Sequence, residues 1–198
     1  EGFTQEAVSE NLLAGNAMAR RAAFQFGTTL APGPAGQVGV GIGIALSKGT
    51  IGLIQPTETV GGQGGTLKID GIEFQFLNAP GTEAPSEFMF YLPAFHALCT
   101  AELATGTMHN LLTLRGAQVR DGLAWSKFLD EALVKYGGDL DVVFASHSWP
   151  TVGAGPARQF LTSQRDIYRY THDQTLRLAN LGFTPDEIAE QLAEPAFS

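Results

Sequence analysis

NAPGTEAPSEFMFYLPAFHALCTAELATGTMHNLLTLRGAQVR, residues 78–120, decides how the rest of the chain is read. Glu83 follows the apolar run Ile72–Leu77 through a Pro-Gly turn, and Glu102 follows the run Ala97–Cys99. Downstream, His147 stands in the same relation to Leu140–Ala145, in DLDVVFASHSWP. Three short apolar runs thus each deliver one candidate metal ligand where strand gives way to loop. Carboxylate and imidazole are donors that zinc-type hydrolytic centres use. Strand ends that support loops are where layered α/β folds carry their chemistry.

The flanks read as an α/β chain. Leu67/Ile69 and Ile72/Phe74/Phe76 alternate with polar residues around Asp70-Gly71, which predicts a β-hairpin over Thr66–Leu77 with a type I′ turn. Phe88–Leu92 and Phe95–Thr100, parted by Pro93, predict two further short strands. Ala117–Tyr136 predicts an amphipathic helix with a stripe of Val119, Leu123, Leu129, Leu133 and Tyr136, ended by Gly137-Gly138. Leu140–Ala145 is a continuous apolar run of the buried parallel-strand kind.

Upstream, Thr4 to about Phe26 is helix-like, with Thr4 a weak N-cap. The Gly/Pro-dense segment 27–49 carries Gly39, Gly41 and Gly43, but these follow no predicted strand, so a surface loop is expected rather than a phosphate loop. After Gly155, Pro156–Leu181 predicts one long helix closed by Gly182. Thr184-Pro185-Asp186-Glu187 predicts the capped start of another.

The chain has 198 residues and a formal net charge of −8, which argues against nucleic acid, because phosphate binding needs a basic surface. No stretch reaches the ~18 to 20 continuous apolar residues that cross a bilayer. The single Cys99 allows no internal disulfide, and its apolar setting predicts a buried, unreactive thiol. There is no G-x-S-x-G elbow, and Ser146 beside His147 forms no triad by adjacency. The chain opens on EGFTQEAVSEN without an initiator Met or signal peptide, which reads as mid-protein sequence.

Among single residues, Glu102 is expected near a buried strand end, where a charge needs a partner or a metal. Glu83 has an equally exposed competitor in Glu87, and a loop carboxylate in solvent is the plain reading of each. His147 could equally be a hydrogen-bonded structural histidine, and His96, His109 and His172 read as structural. Asn110, Arg115 and Arg120 follow Glu102 closely. The planar guanidinium pairs with tetrahedral oxyanions, so arginines near a metal suggest a sulfate or phosphate group.

NAPGTEAPSE, TGTMHNLLTLRGAQVRDGLAWSKFLDEAL, FASHSWPTVG and QRDIYRYTHDQTLRLANLGFTPDEIAEQL closely resemble the type III alkyl sulfatases, zinc enzymes of the metallo-β-lactamase fold, as does EGFTQEAVSENLLAGNAMARR. The resemblance covers essentially the whole chain. It implies an αββα sandwich, here partial over residues 1–155, followed over 156–198 by the start of an all-α dimerisation domain. It implies two zinc ions in the complete enzyme, with Glu83, Glu102 and His147 among their ligands. Asn110, Arg115 and Arg120 become the sulfate-binding residues, and hydrolysis of an alkyl sulfate ester by a hydroxide held on the metal becomes the reaction. A homodimer and a periplasmic or secreted setting are what bacterial relatives would imply.

The sequence departs from that pattern in lacking the H-x-H-x-D-H motif that supplies the family's remaining ligands, and in lacking its C-terminal sterol-carrier-like domain. The expectation is therefore the middle portion of a longer enzyme, inactive by itself. A non-catalytic interaction or dimerisation module and another hydrolase of the same fold, acting for instance on phosphate esters, stay open at this point.

Overall fold

Asp70 and Gly71 both take positive φ, 49° and 84°, as a two-residue type I′ hairpin requires. The turn joins β1 (Gly64–Ile69) to β2 (Ile72–Asn78) with Ile69 opposite Ile72, and that register aligns the strands that follow. This computed structural model describes residues 2–4, 13–40, 43–44, 49–50, 52–62, 64–193 and 195. The Ala7 and Leu12 positions of the expected first helix, and Gly41 of the glycine-rich segment, lie outside the described residues. Its described remainder forms α1 (Gly15–Gln25).

From β2 the sheet grows strand by strand. β3 (Phe88–Leu92) pairs antiparallel with β2, and β4 (Ala97–Cys99) pairs antiparallel with β3 after a 3-10 turn that Pro93 opens. The next strand, β5 (Val142–Phe144), is parallel to β4. A parallel step needs a long crossover. It is supplied by the 100–121 loop and α2 (Gly122–Tyr136). A short β6 (Thr151–Val152) closes the six-stranded sheet in sequence order, β1 to β6.

The pleat gives the sheet two different faces. Leu77, Met89, Tyr91, Leu98 and Val143 lie on one side, nearly inaccessible, under α2 and the first half of α3 (Ala154–Asn180). On α2 the buried residues Trp125, Leu129, Ala132 and Tyr136 recur at helical spacing. On α3, Ala157, Leu161 and Tyr168 belong to the same core. Tyr91 stacks on Tyr136 at 4.5 Å, and Trp125 on Tyr168 at 4.4 Å, so each helix is fixed by an aromatic pair. Burying a leucine such as Leu98 contributes about 1.5–3 kcal/mol. The opposite face carries an aromatic row, Phe76, Phe90 and Phe144, with ring centroids about 6 Å apart. One sheet with helices on one side is half of an αββα sandwich, and no second sheet occurs among the described residues.

Two expectations need correction. The second helix starts at Gly122, not Ala117, because the Asp121 carboxylate accepts hydrogen bonds from the Leu123 and Ala124 N–H groups and so fixes the N-cap there. Val119, expected in its buried stripe, lies before the helix and is exposed. The long helix begins two residues early, at Ala154, and ends as expected before Gly182, whose φ is 92°. The last helix, α4 (Pro185–Gln191), has the capping box read from Thr184 and Glu187. Among the described residues no helix is long and apolar enough to cross a membrane.

Candidate metal centre

Three loops at one end of the sheet build the site. The first leaves β2 at Asn78 and carries Thr82, Glu83 and Glu87 before β3. The second follows β4, where Leu103 N–H bonds to the Thr100 carbonyl and Ala101 takes φ 49°, so the chain reverses tightly at Glu102. The third follows β5 and carries His147, with Ser148 at φ 74°. Ser146 N–H bonds to the Ala101 carbonyl and Gly106 N–H to Ser148 Oγ, which ties the second and third loops together.

Glu102 is the centre of the arrangement. One carboxylate oxygen lies 2.9 Å from His109 Nε2, and the other lies 3.2 Å from His147 Nε2. The hydrogen bond from His109 holds the Glu102 carboxyl below its ordinary range, against the opposing effect of burial; the His109 and His147 charges and the His147 hydrogen bond add to the lowering. Ligand atoms of Glu83, Glu102 and His109 lie within 4.8 Å of one another.

Arg120 holds the other side. Its guanidinium is buried, with the side chain 4% exposed, and it forms an ion pair with the Glu83 carboxylate while Nε–H donates to the Glu83 carbonyl at 2.7 Å. The second fork reaches the Asn110 carbonyl at 2.8 Å, Asn110 Oδ1 at 2.6 Å and His109 Nδ1 at 3.1 Å. The helices support the loop from beneath. His109 N–H donates to Tyr168 Oη at 3.0 Å, Trp125 Nε1–H to the Leu103 carbonyl at 2.7 Å and Gln164 Nε2–H to the Thr105 carbonyl at 3.0 Å.

The sequence candidates fall as follows. Glu83, Glu102 and Arg120 come together, and Glu83, Glu102, Arg115 and Arg120 line one cavity of about 570 Å³. Asn110 is drawn in through Arg120, and His147 through Glu102. His109, read as structural, sits among the candidate ligands. Glu87, read as a solvent carboxylate, is half-buried against Glu83 and Glu102, and burial first and their charges next push its carboxyl up to about 8, although a hydrogen bond from Glu102 N–H opposes the shift. The one signal for both was proximity in sequence to Glu83 and Glu102, which does not separate them from other polar residues of the same loops. His96 bonds to Asp139 at 2.8 Å, away from this group. Two carboxylates and an imidazole, Glu83, Glu102 and His109, suit a divalent cation of the zinc type, and because their ligand atoms lie within 4.8 Å of one another they fit such an ion. His147, expected among the ligands, is drawn in only through its contact with Glu102 and is not one of that close group.

A six-stranded mixed sheet with two carboxylates and an imidazole gathered at its strand ends defines an α/β chain with a candidate metal centre at one sheet end. Over nearly its whole length the chain is similar to a stretch of several alkylsulfatases. It is 50% identical over 194 residues to a linear primary-alkylsulfatase of Pseudomonas sp. and 49% identical over 195 residues to the alkyl/aryl-sulfatase BDS1 of Saccharomyces cerevisiae, each match covering 98% of this chain. The stereoselective inverting sec-alkylsulfatase Pisa1 from Pseudomonas sp. superposes with a TM-score of 0.94 at 41% identity, over 98% of this chain and 31% of that one. The chain spans 29% and 30% of the length of the two curated relatives. No known family profile matches the chain.

Proposed function

We propose that this chain forms the part of an alkyl sulfate ester hydrolase that supplies the carboxylate side of its metal centre and the cradle for the sulfate. The observation that carries the reading is Glu102, with an imidazole on each carboxylate oxygen and Glu83 and Arg120 beside it. Glu83, Glu102 and His147 would hold a zinc ion, with His109 as a further nitrogen donor. A zinc ion bound there would lower the pKa of water and offset the charge of the leaving sulfate. A second zinc needs donors that this sequence lacks.

The protein's own residues would do the rest. Arg115 and Arg120 present guanidinium groups to one cavity, and planar forks of this kind match sulfate oxygens. Arg120 spends most of its donors on Glu83, Asn110 and His109, so it would orient those groups as well as attract the anion. Asn110, held through Oδ1, keeps its amide group for the substrate. The long helical segment, residues 156–198, would begin a dimerisation unit continuous with the core, and its exposed Leu176 and Leu181 are suited to such a contact. Inversion in the name of Pisa1 implies attack at carbon in that enzyme. We carry C–O cleavage over as part of this proposal.

Transplantation tests the reading. This stretch replaces the matching stretch of the Pseudomonas linear primary-alkylsulfatase, and sulfate release from dodecyl sulfate is followed in labelled water. The chimera is expected to release sulfate with the label in the alcohol, and Glu102→Gln in it to lose at least a hundredfold in rate. A folded chimera that cleaves an alkyl phosphate but not dodecyl sulfate would favour the phosphate-ester reading, and one inert to both would favour a non-catalytic module.

A further inference from the structure

We propose that Gln25, the last residue of α1, is the positioning residue that holds Arg115 at the cavity. The inference rests on the sulfate-binding reading above and deepens it. The Gln25 carboxamide Oε1 accepts the Arg115 backbone N–H at 3.1 Å, across 90 residues of sequence. Arg21 lies one helical turn earlier on the same face of α1. It covers the next residue of the loop, since a β-carbon on Gly116 would stand 2.9 Å from Arg21 Nη1. Two side chains of α1 thus meet the turn that carries Arg115.

The bond falls on the cation whose placement needs it most. Arg120 is buried and committed to Glu83, Asn110 and His109. Arg115 lines the same cavity, and among the described residues no ion pair holds its guanidinium. Where such a side chain can reach is set by the backbone that bears it. That backbone is a tight turn, in which Gly116 N–H donates to the Thr113 carbonyl at 3.1 Å and Ala117 N–H to Thr113 Oγ1 at 2.9 Å. The turn leaves the Arg115 N–H to an outside partner, and Gln25 is that partner. Gln25 is anchored in its turn. Gly27, at φ 61°, ends α1, Thr28 N–H returns to the Ala23 carbonyl at 3.1 Å, and Gln37 Nε2–H donates to the Phe26 carbonyl at 2.7 Å. An arginine free of carboxylates on an anchored turn is suited to meet an anion that enters the cavity. Gln25→Met has a similar length and no acceptor, whereas Gln25→Glu keeps an acceptor at the same reach.

The test reads kcat and KM for dodecyl sulfate in the chimera described above. Gln25→Met is expected to raise KM about tenfold and to leave kcat within about threefold, because a binding group is displaced while the reacting groups are not. A merely structural role would lower the amount of active enzyme, and so kcat, without moving KM. In an Arg115→Met background the same substitution is expected to change kcat/KM by less than about twofold, since its effect passes through Arg115. Exchange protection of the Arg115 amide, read by NMR on the chain, is expected with Gln25 and with Gln25→Glu and is expected to be lost in Gln25→Met. Gln25→Met that leaves KM and the protection unchanged overturns the proposal, as does an equal loss of kcat/KM in both backgrounds. A chimera that releases no sulfate with Gln25 in place overturns the sulfate reading, and with it any role of Gln25 in substrate binding, while the amide measurement still decides whether Gln25 holds the Arg115 turn.

Discussion

Arg120 illustrates how a single side chain can hold a loop that has no regular structure. Its guanidinium gathers Glu83, His109 and Asn110 in a buried setting, so removing it leaves the Glu83 carboxylate without its compensating charge. Breaking a buried pair from one side typically costs about 3–5 kcal/mol. Arg120→Ala is accordingly expected to lower the unfolding free energy by about 3 kcal/mol in urea titrations, and Arg120→Lys to recover only part of it because lysine has no fork. Glu87 predicts a pH dependence. Its folded-state pKa is raised from 4.5 to about 8, so between those values the metal-free folded chain binds more protons than the unfolded one. Stability from this group is therefore full below about pH 4.5 and falls as pH rises towards 8. Urea midpoints at pH 5 and pH 8 should fall in the unsubstituted chain and change less in Glu87→Gln. The strand-end positions of Glu83, Glu102 and His147 were legible in sequence because each follows an apolar run. His109 was not, because a partner comes from elsewhere: its N–H donates to Tyr168 on a helix 59 residues away.

At the scale of elements, hydrophobic alternation and the Asp-Gly turn specified the first hairpin, and Pro93 marked the break between β3 and β4. What sequence periodicity did not locate was the start of α2. The 117–121 segment has helix-compatible residues, yet Arg120 N–H is bonded to the Leu111 carbonyl and Asp121 N–H to that of Gly81, so tertiary contacts hold it extended. Asp121 then caps α2 next to Arg120, which makes the cap part of the site's frame. Asp121→Ala is expected to cost about 1 kcal/mol. Asp121→Asn should recover most of that, both read from urea midpoints. The same pair should leave the α4 capping box untouched, since Thr184 bonds within its own turn to Glu187 and Ile188.

At the scale of the whole molecule, the sheet order β1 to β6 follows from short connections and one parallel crossover. The α/β class was therefore readable from strand and helix patterns, while the site depends on how three loops converge at one sheet end. The account's central claim is that these loops form a divalent metal site. Equilibrium dialysis of the chain against zinc, followed by elemental analysis, tests it most directly. The account predicts close to one zinc per chain at saturation. It also predicts that Glu102→Ala, with its fold intact by circular dichroism, loses that zinc. Saturation far below one zinc, or uptake that Glu102→Ala leaves unchanged, would contradict it.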